Sequence, residues 1–277
     1  MVIGWRTLIA FRLFGIASNN RLVSFIGLLS IGGLALAVAV LVIVLSVVNG
    51  FEKELRERVL GVLPHGTIYT RADEVDWHKE QQLILAHPDV IGAARMVEGS
   101  GLVIGNSGIH DRELVGVSFT GVLPSEEATV SILPNYMVVG SLDALEMTSY
   151  GTVIGAELAE NLGLGYGDML TLILPSVSFS LGGPVLTTKR LTIVGIFRVG
   201  ADIDNNQLYL HLPDAQKLKR QTSIDGLVIR TNDLLEAPRI LHELAFLSAS
   251  SELYGISWMR RSGNLFEAIR TQKKTLA

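Results

Sequence analysis

The stretch LVSFIGLLSIGGLALAVAVLVIVLSVV, residues 22–48, decides the fold because it contains no charged residue and consists almost wholly of Leu, Val, Ile, Ala and Gly. A helix of this length, rising about 1.5 Å per residue, extends roughly 40 Å and exceeds the hydrocarbon core of a bilayer, which is about 30 Å thick. The sequence therefore predicts a transmembrane helix over residues 22–48. The chain is not a purely soluble domain.

A cleaved signal peptide is the alternative for this stretch, because Ala35-Leu36-Ala37 resembles a cleavage site. The apolar region of a signal peptide is usually about 7–15 residues long and ends close to the point of cleavage. Here bulky apolar residues continue beyond Ala37 as far as Val48. We therefore expect an anchor that stays attached to the chain.

The charges that flank the apolar stretch predict its orientation. Residues 1–21 carry three Arg and no acidic residue, whereas residues 52–58 carry three acidic and three basic side chains. Because segments rich in Lys and Arg remain in the cytoplasm, we expect residues 1–21 to form a cytoplasmic N-terminal segment. The chain after about Asn49 is then expected to lie outside the cell membrane.

The composition excludes several classes of protein. The chain has 23 Lys and Arg against 27 Asp and Glu, a net charge of −4, and no Cys. The acidic balance without a basic stripe disfavours nucleic-acid binding, and the lack of Cys excludes disulfide scaffolds, thiolate zinc sites and cysteine nucleophiles. No phosphate-binding loop, His-Glu-x-x-His motif or Gly-x-Ser-x-Gly turn occurs. We therefore expect no catalytic residue, no metal and no cofactor, and the chain is not predicted to be an enzyme.

The residues after the anchor predict an α+β domain. Apolar runs bounded by turn residues predict short strands, and apolar residues with a helical period predict helices. Because the two do not alternate regularly, we expect two small lobes rather than a doubly wound sheet. The predicted strands are Gly101–Ile104, Glu113–Gly116, Met169–Leu174, Leu191–Phe197 and Leu227–Arg230, and the predicted helices are Trp77–Ala86, Pro213–Lys219 and Ala237–Leu247, with Val153–Asn161 as a strand that leads into a helix.

The segment PSVSFSLGGPVL, residues 175–186, is the candidate binding site. It carries no charge, and its two Pro and two Gly favour an irregular loop between two predicted strands. Long loops in compact domains are often functional, and exposed apolar side chains such as Phe179 and Leu181 favour a protein partner that covers them. Lys189 and Arg190 would add positive charge beside that contact. The alternative is a hairpin tip folded back on its own domain, with the two cations protecting a strand edge.

Four stretches resemble the LolC/LolE family, the membrane subunits of the lipoprotein-releasing ABC transporter of Gram-negative bacteria. The first, LSVVNGFEKEL at residues 45–55, is similar to the junction that follows the first transmembrane helix in that family. The others are the block Val153–Asp168, the loop that begins with Pro175-Ser176 and closes with Lys189-Arg190, and WMRRSGNLFEAIRTQK at residues 258–273. The resemblance extends along nearly the whole chain and is closer to LolC in the last two stretches.

This resemblance implies a membrane subunit that extracts outer-membrane lipoproteins from the bacterial inner membrane and passes them to the periplasmic chaperone LolA. It also implies a LolD-type ATPase as a separate subunit and a paired membrane subunit of the LolC or LolE type, or a second copy of the same chain. Residues 49–262 would form the periplasmic domain. Residues 263–277 would form a return helix that leads toward a second transmembrane segment, as in a fragment of a four-helix subunit.

The resemblance also assigns roles to residues. The apolar loop and the two cations after it would bind the chaperone, and these residues are Pro175, Ser176, Val177, Ser178, Phe179, Ser180, Leu181, Gly182, Gly183, Pro184, Lys189 and Arg190. Acyl chains of the lipoprotein would contact the outer end of the anchor, where the helical period places four residues on one side, Val40, Val44, Val47 and Val48. Contact of these valines with bulk lipid is the alternative.

A different class of function stays open at this point. Relatives of the FtsX and MacB type suggest a single-span periplasmic scaffold or sensor that transmits conformational change without moving lipid. Binding of LolA to the domain outside the membrane would distinguish the transporter from the scaffold.

Overall fold

A computed structural model of the chain describes residues 21–62, 64–72, 75–104, 114–180, 183–247 and 252–261. The chain divides into two compact units, Met1–Arg56 and Glu57–Ala277. Most of the predicted cytoplasmic segment, residues 1–20, and all of the predicted return helix, residues 263–277, lie outside the described residues.

The first described element is the helix α1, Arg21–Val62, which is 42 residues long. Its stretch Leu29–Val48 has a mean hydropathy of 3.0, is not buried, and is long and apolar enough to cross a membrane. The helix does not end near Asn49, where we expected the outer domain to begin. Glu, Lys, Leu and Arg between Phe51 and Val62 favour helix, and the first Pro after the apolar stretch is Pro64.

The described residues of the second unit form ten strands, which we number in chain order. They are β1 (Gly66–Thr70), β2 (Val90–Ile104), β3 (Leu114–Val122), β4 (Met137–Gly140), β5 (Gly151–Gly155), β6 (Met169–Ser180), β7 (Gly183–Phe197), β8 (Gln207–His211), β9 (Gly226–Thr231) and β10 (Leu253–Ser257). Their spatial order is β10-β1-β9-β2-β3-β8-β5-β7-β4, and β6 pairs with both β2 and β7. Most pairs are antiparallel, but β3 with β8 and β5 with β7 are parallel.

Helices cover this sheet and connect its strands. They are α2 (Trp77–Leu85), α3 (Pro124–Val130), α4 (Ala144–Met147), α5 (Ala156–Leu162), α6 (Ile203–Asn206), α7 (Leu212–Lys219), α8 (Ala237–Leu247) and α9 (Trp258–Arg261), with a 3-10 turn at Leu133–Tyr136. Two helices begin or end at recognisable signals. The Asp76 side chain accepts hydrogen bonds from the backbone at the start of α2, and Gly163 ends α5 in the left-handed conformation.

The second unit combines strands and helices in two lobes, which confirms the predicted α+β class. The long strand β2 belongs to both lobes. Its residues 90–96 pair with β9, and its residues 97–104 pair with β3. The first lobe packs Ile68, Ile229 and Leu241 into one core with residues of α2 and α8. The larger lobe packs residues such as Phe119 and Leu158 into a separate core.

The predicted irregular loop at residues 175–186 is wrong. Strand β6 continues to Ser180 and β7 begins at Gly183. The predicted strands Met169–Leu174 and Leu191–Phe197 are therefore the parts of a long antiparallel hairpin that lie farthest from its turn. The register shifts between Pro175 and Phe179, where three residues of β6 stand opposite one residue of β7, so the pairing is irregular over this stretch. Pro is compatible with a bulge or an edge strand because neither position requires its missing N–H, so the Pro and Gly content did not exclude a hairpin.

Candidate functional site

The upper part of the β6–β7 hairpin extends beyond the sheet. Strand β6 pairs with β2 only through Ile173, whereas its pairing with β7 continues to Ser180 opposite Gly183. We call residues 175–180 and 183–186 the hairpin arm. Six strand residues at about 3.3 Å each give an arm on the order of 20 Å long.

The structure gathers the predicted chaperone-binding residues on this hairpin. Those between Pro175 and Ser180, with Gly183 and Pro184, contribute their backbone to the arm, with Phe179 opposite Pro184. Leu181 and Gly182 lie outside the described residues. Lys189 and Arg190 stand at the base of the arm, opposite Leu172 and Thr171.

Lys189 is held at the base of the arm by an aromatic ring that the sequence analysis missed. Its Nζ atom lies 3.5 Å from the centroid of the Tyr150 ring, a distance at which a cation and the face of an aromatic ring attract each other. Tyr150 has a positive φ of 55°, and its backbone N–H donates to Oδ2 of Asp214 at 2.8 Å. The other oxygen of Asp214 accepts from Lys217 Nζ at 2.9 Å. Only the tertiary structure brings these residues together, since they belong to three separate segments of the chain.

The second predicted set, the lipid-contact valines, lies along α1. Val40, Val44, Val47 and Val48 have exposed fractions between 43% and 64%. Two of them share a shallow groove with small residues of the same helix, and its lining is Gly33, Leu36, Ala37, Val40, Leu41 and Val44. Small residues four positions apart let another transmembrane helix approach closely.

Asp204, in the short helix α6, has a structural role. It is fully buried, and its carboxylate accepts hydrogen bonds from the backbone N–H groups of Val199 and Gly200. Asp side chains commonly hold turns through hydrogen bonds of this kind. Within the described ranges, no group of His, Asp and Glu side chains is arranged to hold a metal ion.

Comparison with known proteins gives the family. Residues 28–244 match the MacB-like periplasmic core domain, and the chain belongs to that family. The resemblance to LolC and LolE is confirmed: the lipoprotein-releasing system transmembrane protein LolC of Xylella fastidiosa strain Temecula1 is 31% identical over 260 residues, 93% of this chain and 61% of that protein. LolC of Neisseria meningitidis serogroup B is 32% identical over 261 residues, 93% of this chain and 62% of that protein.

The chain therefore spans about three fifths of the length of the curated relatives it matches. Among solved structures, the periplasmic region of MacB from Actinobacillus actinomycetemcomitans aligns with a TM-score of 0.45 and 10% sequence identity, covering 78% of this chain and 97% of that one.

Proposed function

We propose that this chain is the first transmembrane helix and the periplasmic domain of a LolC-type subunit of an ABC transporter, which removes lipoproteins from the inner membrane. The similarity to LolC proteins along 93% of the chain carries this proposal. The apolar stretch Leu29–Val48 supports a membrane-embedded subunit, and the family match supports a domain outside the cytoplasm.

The orientation follows from the flanking charges. The N-terminal segment is cytoplasmic because it carries three Arg and no acidic residue, and residues after the helix are periplasmic. ATP hydrolysis belongs to a LolD-type partner, which is consistent with the lack of a phosphate-binding loop in this sequence. A LolC- or LolE-type membrane subunit, or a second copy of this chain, completes the transmembrane part.

The hairpin arm docks LolA, and the outer end of α1 contacts the acyl chains of the lipoprotein. Within the described residues the arm pairs only with itself beyond Ile173, so it can present its two strands to a partner at little cost to the domain core. The exposed valines of α1 offer an apolar surface, and acyl chains gain about 0.8 kcal/mol for each buried CH₂ group.

Binding of purified LolA to the detergent-solubilised chain tests this function. We expect a saturable complex with the chain and none with a variant in which residues 176–185 are replaced by a two-residue turn. A matched control is Met147→Ser, which changes an exposed apolar residue, 85% accessible, on α4 rather than on the hairpin. Absence of binding at both low and moderate salt would favour the scaffold or sensor function instead.

A further inference from the structure

One face of the sheet in the larger lobe carries a row of polar side chains on three neighbouring strands. Residues Ser100 and Ser118 pair across β2 and β3, and Gln207 of β8 is paired with Ser118. Side chains alternate between the two faces of a strand, so their sequence neighbours Phe119 and Leu208 point the other way, into the core.

Helix α3 covers this polar face and closes a cleft of about 590 Å³. Its Glu127 lines the cleft and is 94% removed from solvent, since its exposed fraction is 6%. The only basic side chain bonded to α3 within the described ranges is Arg95, which is held by the neighbouring Glu126 through a contact of 2.9 Å between Nε and Oε1. Glu127 therefore has the Ser131 hydroxyl as its side-chain partner and no cation.

Tyr209 of β8 also lines the cleft and is only 8% exposed. Its ring packs edge-on against Phe197, with centroids 5.7 Å apart. Within the described part of the chain the hydroxyl group of Tyr209 has no hydrogen-bond partner. A ligand in the cleft would supply one.

The charges of the lining are of one sign. Among the lining residues that the structure describes, the charged ones are Glu98 and Glu127 and none is Lys or Arg, although Lys219 Nζ donates to the backbone oxygen of Glu98 at 2.9 Å. Oε1 of Glu98 accepts a hydrogen bond from the Tyr69 hydroxyl at 2.8 Å, which orients that carboxylate. Apolar side chains, including Val130 and Val228, complete the lining. Pockets of about 300–1,000 Å³ that combine apolar walls with a few polar groups are typical of small-molecule sites.

We propose that this cleft binds a small organic cation of the alkylamine class, with its ammonium group between the carboxylate of Glu127 and the hydroxyl of Tyr209. An ammonium group has three donors, which match the Glu127 carboxylate, the Tyr209 hydroxyl and the hydroxyl groups of Ser100 and Ser118. The methylene chain lies against the apolar walls. The site is separate from the hairpin arm and from α1, and it does not depend on the transport function.

Calorimetric titration of the full chain in detergent tests the proposal with 1,4-diaminobutane as the probe and 1,4-butanediol as its neutral match. At about pH 8 the Glu127 carboxyl is ionised, since burial raises its pKa to about 7. We expect saturable binding of the diamine and none of the diol. Glu127→Gln should weaken diamine binding by at least about tenfold, because a hydrogen bond to a charged group is stronger than one to a neutral group.

Two further variants make the result specific. Tyr209→Phe keeps the ring beside Phe197 and should weaken diamine binding by about threefold to tenfold through loss of one hydrogen bond. Glu146→Gln removes the same charge at an exposed position on α4 and should bind as the unchanged chain does. Equal binding of diol and diamine, no saturation below about 10 mM diamine, or unchanged binding in both cleft variants would overturn the proposal.

Discussion

At the scale of single residues, the burial of Glu127 is the feature with the clearest energetic consequence. The side chain is almost fully enclosed, and among the residues that the structure describes the Ser131 hydroxyl is the hydrogen-bond partner of its carboxyl. Desolvation disfavours the charged form and raises the pKa of Glu127 from 4.5 to about 7, whereas the hydrogen bond from Ser131 acts in the opposite direction.

Stability should therefore depend on pH in the window between these two values. There the folded state binds more protons than the unfolded state, so the free energy of unfolding falls as pH rises from about 4.5 to about 7. Above about pH 7 the free energy of unfolding is therefore lower than below pH 4.5, by on the order of 3 kcal/mol. Glu127→Gln should remove this pH dependence and should be more stable than the original chain at neutral and higher pH.

Urea unfolding followed by the fluorescence of Trp77 and Trp258 measures this effect. Both residues are buried, at 9% and 3% exposed, so unfolding should change their emission. Glu146→Gln, at an exposed position, serves as the control and should follow the original curve. An identical pH profile for the Glu127→Gln variant would mean that the carboxyl is hydrated in the folded chain.

At the scale of elements, a substitution in the hairpin arm can test binding of LolA separately from folding of the domain. Phe179→Ala should weaken binding of LolA by about thirtyfold, or on the order of 2 kcal/mol, because a few aromatic anchors commonly dominate an interface. The domain should stay folded, since in the described part of the chain no other strand pairs with the arm beyond Ile173. Unfolding of the variant would support a tip folded back on the domain, and unchanged affinity would place docking elsewhere.

The cations at the base of the arm should affect association rather than the lifetime of the complex. Charge reversal at both Lys189 and Arg190 should slow association with LolA and make its rate less sensitive to salt. Stopped-flow mixing at several salt concentrations measures both quantities. The matched control is charge reversal at Lys79 on α2 and Arg260 on α9, which are both exposed, and an equal effect from that pair would show that net charge alone sets the rate.

The helix α1 has its own test. A photo-crosslinking residue at Val44 or Val48, both exposed at the outer end of the apolar stretch, should capture lipoprotein when the chain is present with its partner subunits. Leu34, also exposed but three to four turns away, is the control position. Capture of phospholipid alone at all three positions would support contact with bulk lipid.

At the scale of the whole molecule, topology is the property on which the proposed function depends. The chain has no Cys, so single cysteines can be introduced without background. Cysteines at Met147 and Tyr166, which are 85% and 58% exposed, should react with a membrane-impermeant thiol reagent in intact spheroplasts. A cysteine at Ser18 should react only after lysis, and the reverse pattern would overturn the proposed orientation.

Much of the local structure was predictable because it depends on neighbouring residues. The helix Leu212–Lys219 with Pro213 in its first turn, and the strand Gly151–Gly155 leading into α5, agree with their sequence patterns. The hairpin was mispredicted because Pro175 and Pro184 were taken as breaking regular structure, although bulged strands accept them.

The parts that could not be predicted depend on contacts between distant segments. The parallel pairs of β3 with β8 and of β5 with β7 have no local signature. The contact of Lys189 with the Tyr150 ring and the closure of the cleft by Glu127 and Tyr209 each bring together residues that are far apart in the sequence. A polar residue in a strand pattern indicates a solvated face, and only the position of α3 turns that face into a cavity.

The strand β2 has a consequence for cooperativity. Its 15 residues form one strand with an irregular pairing between Val90 and Gly92, and its two halves hydrogen-bond to β9 in one lobe and to β3 in the other. Because both lobes pair with the same strand, we expect local opening in one lobe to raise the opening probability of the other. Amide hydrogens from Val90 to Ile104 should then exchange with solvent as one cooperative block, and a disturbance at one lobe reaches the other through a shared backbone rather than through a flexible linker.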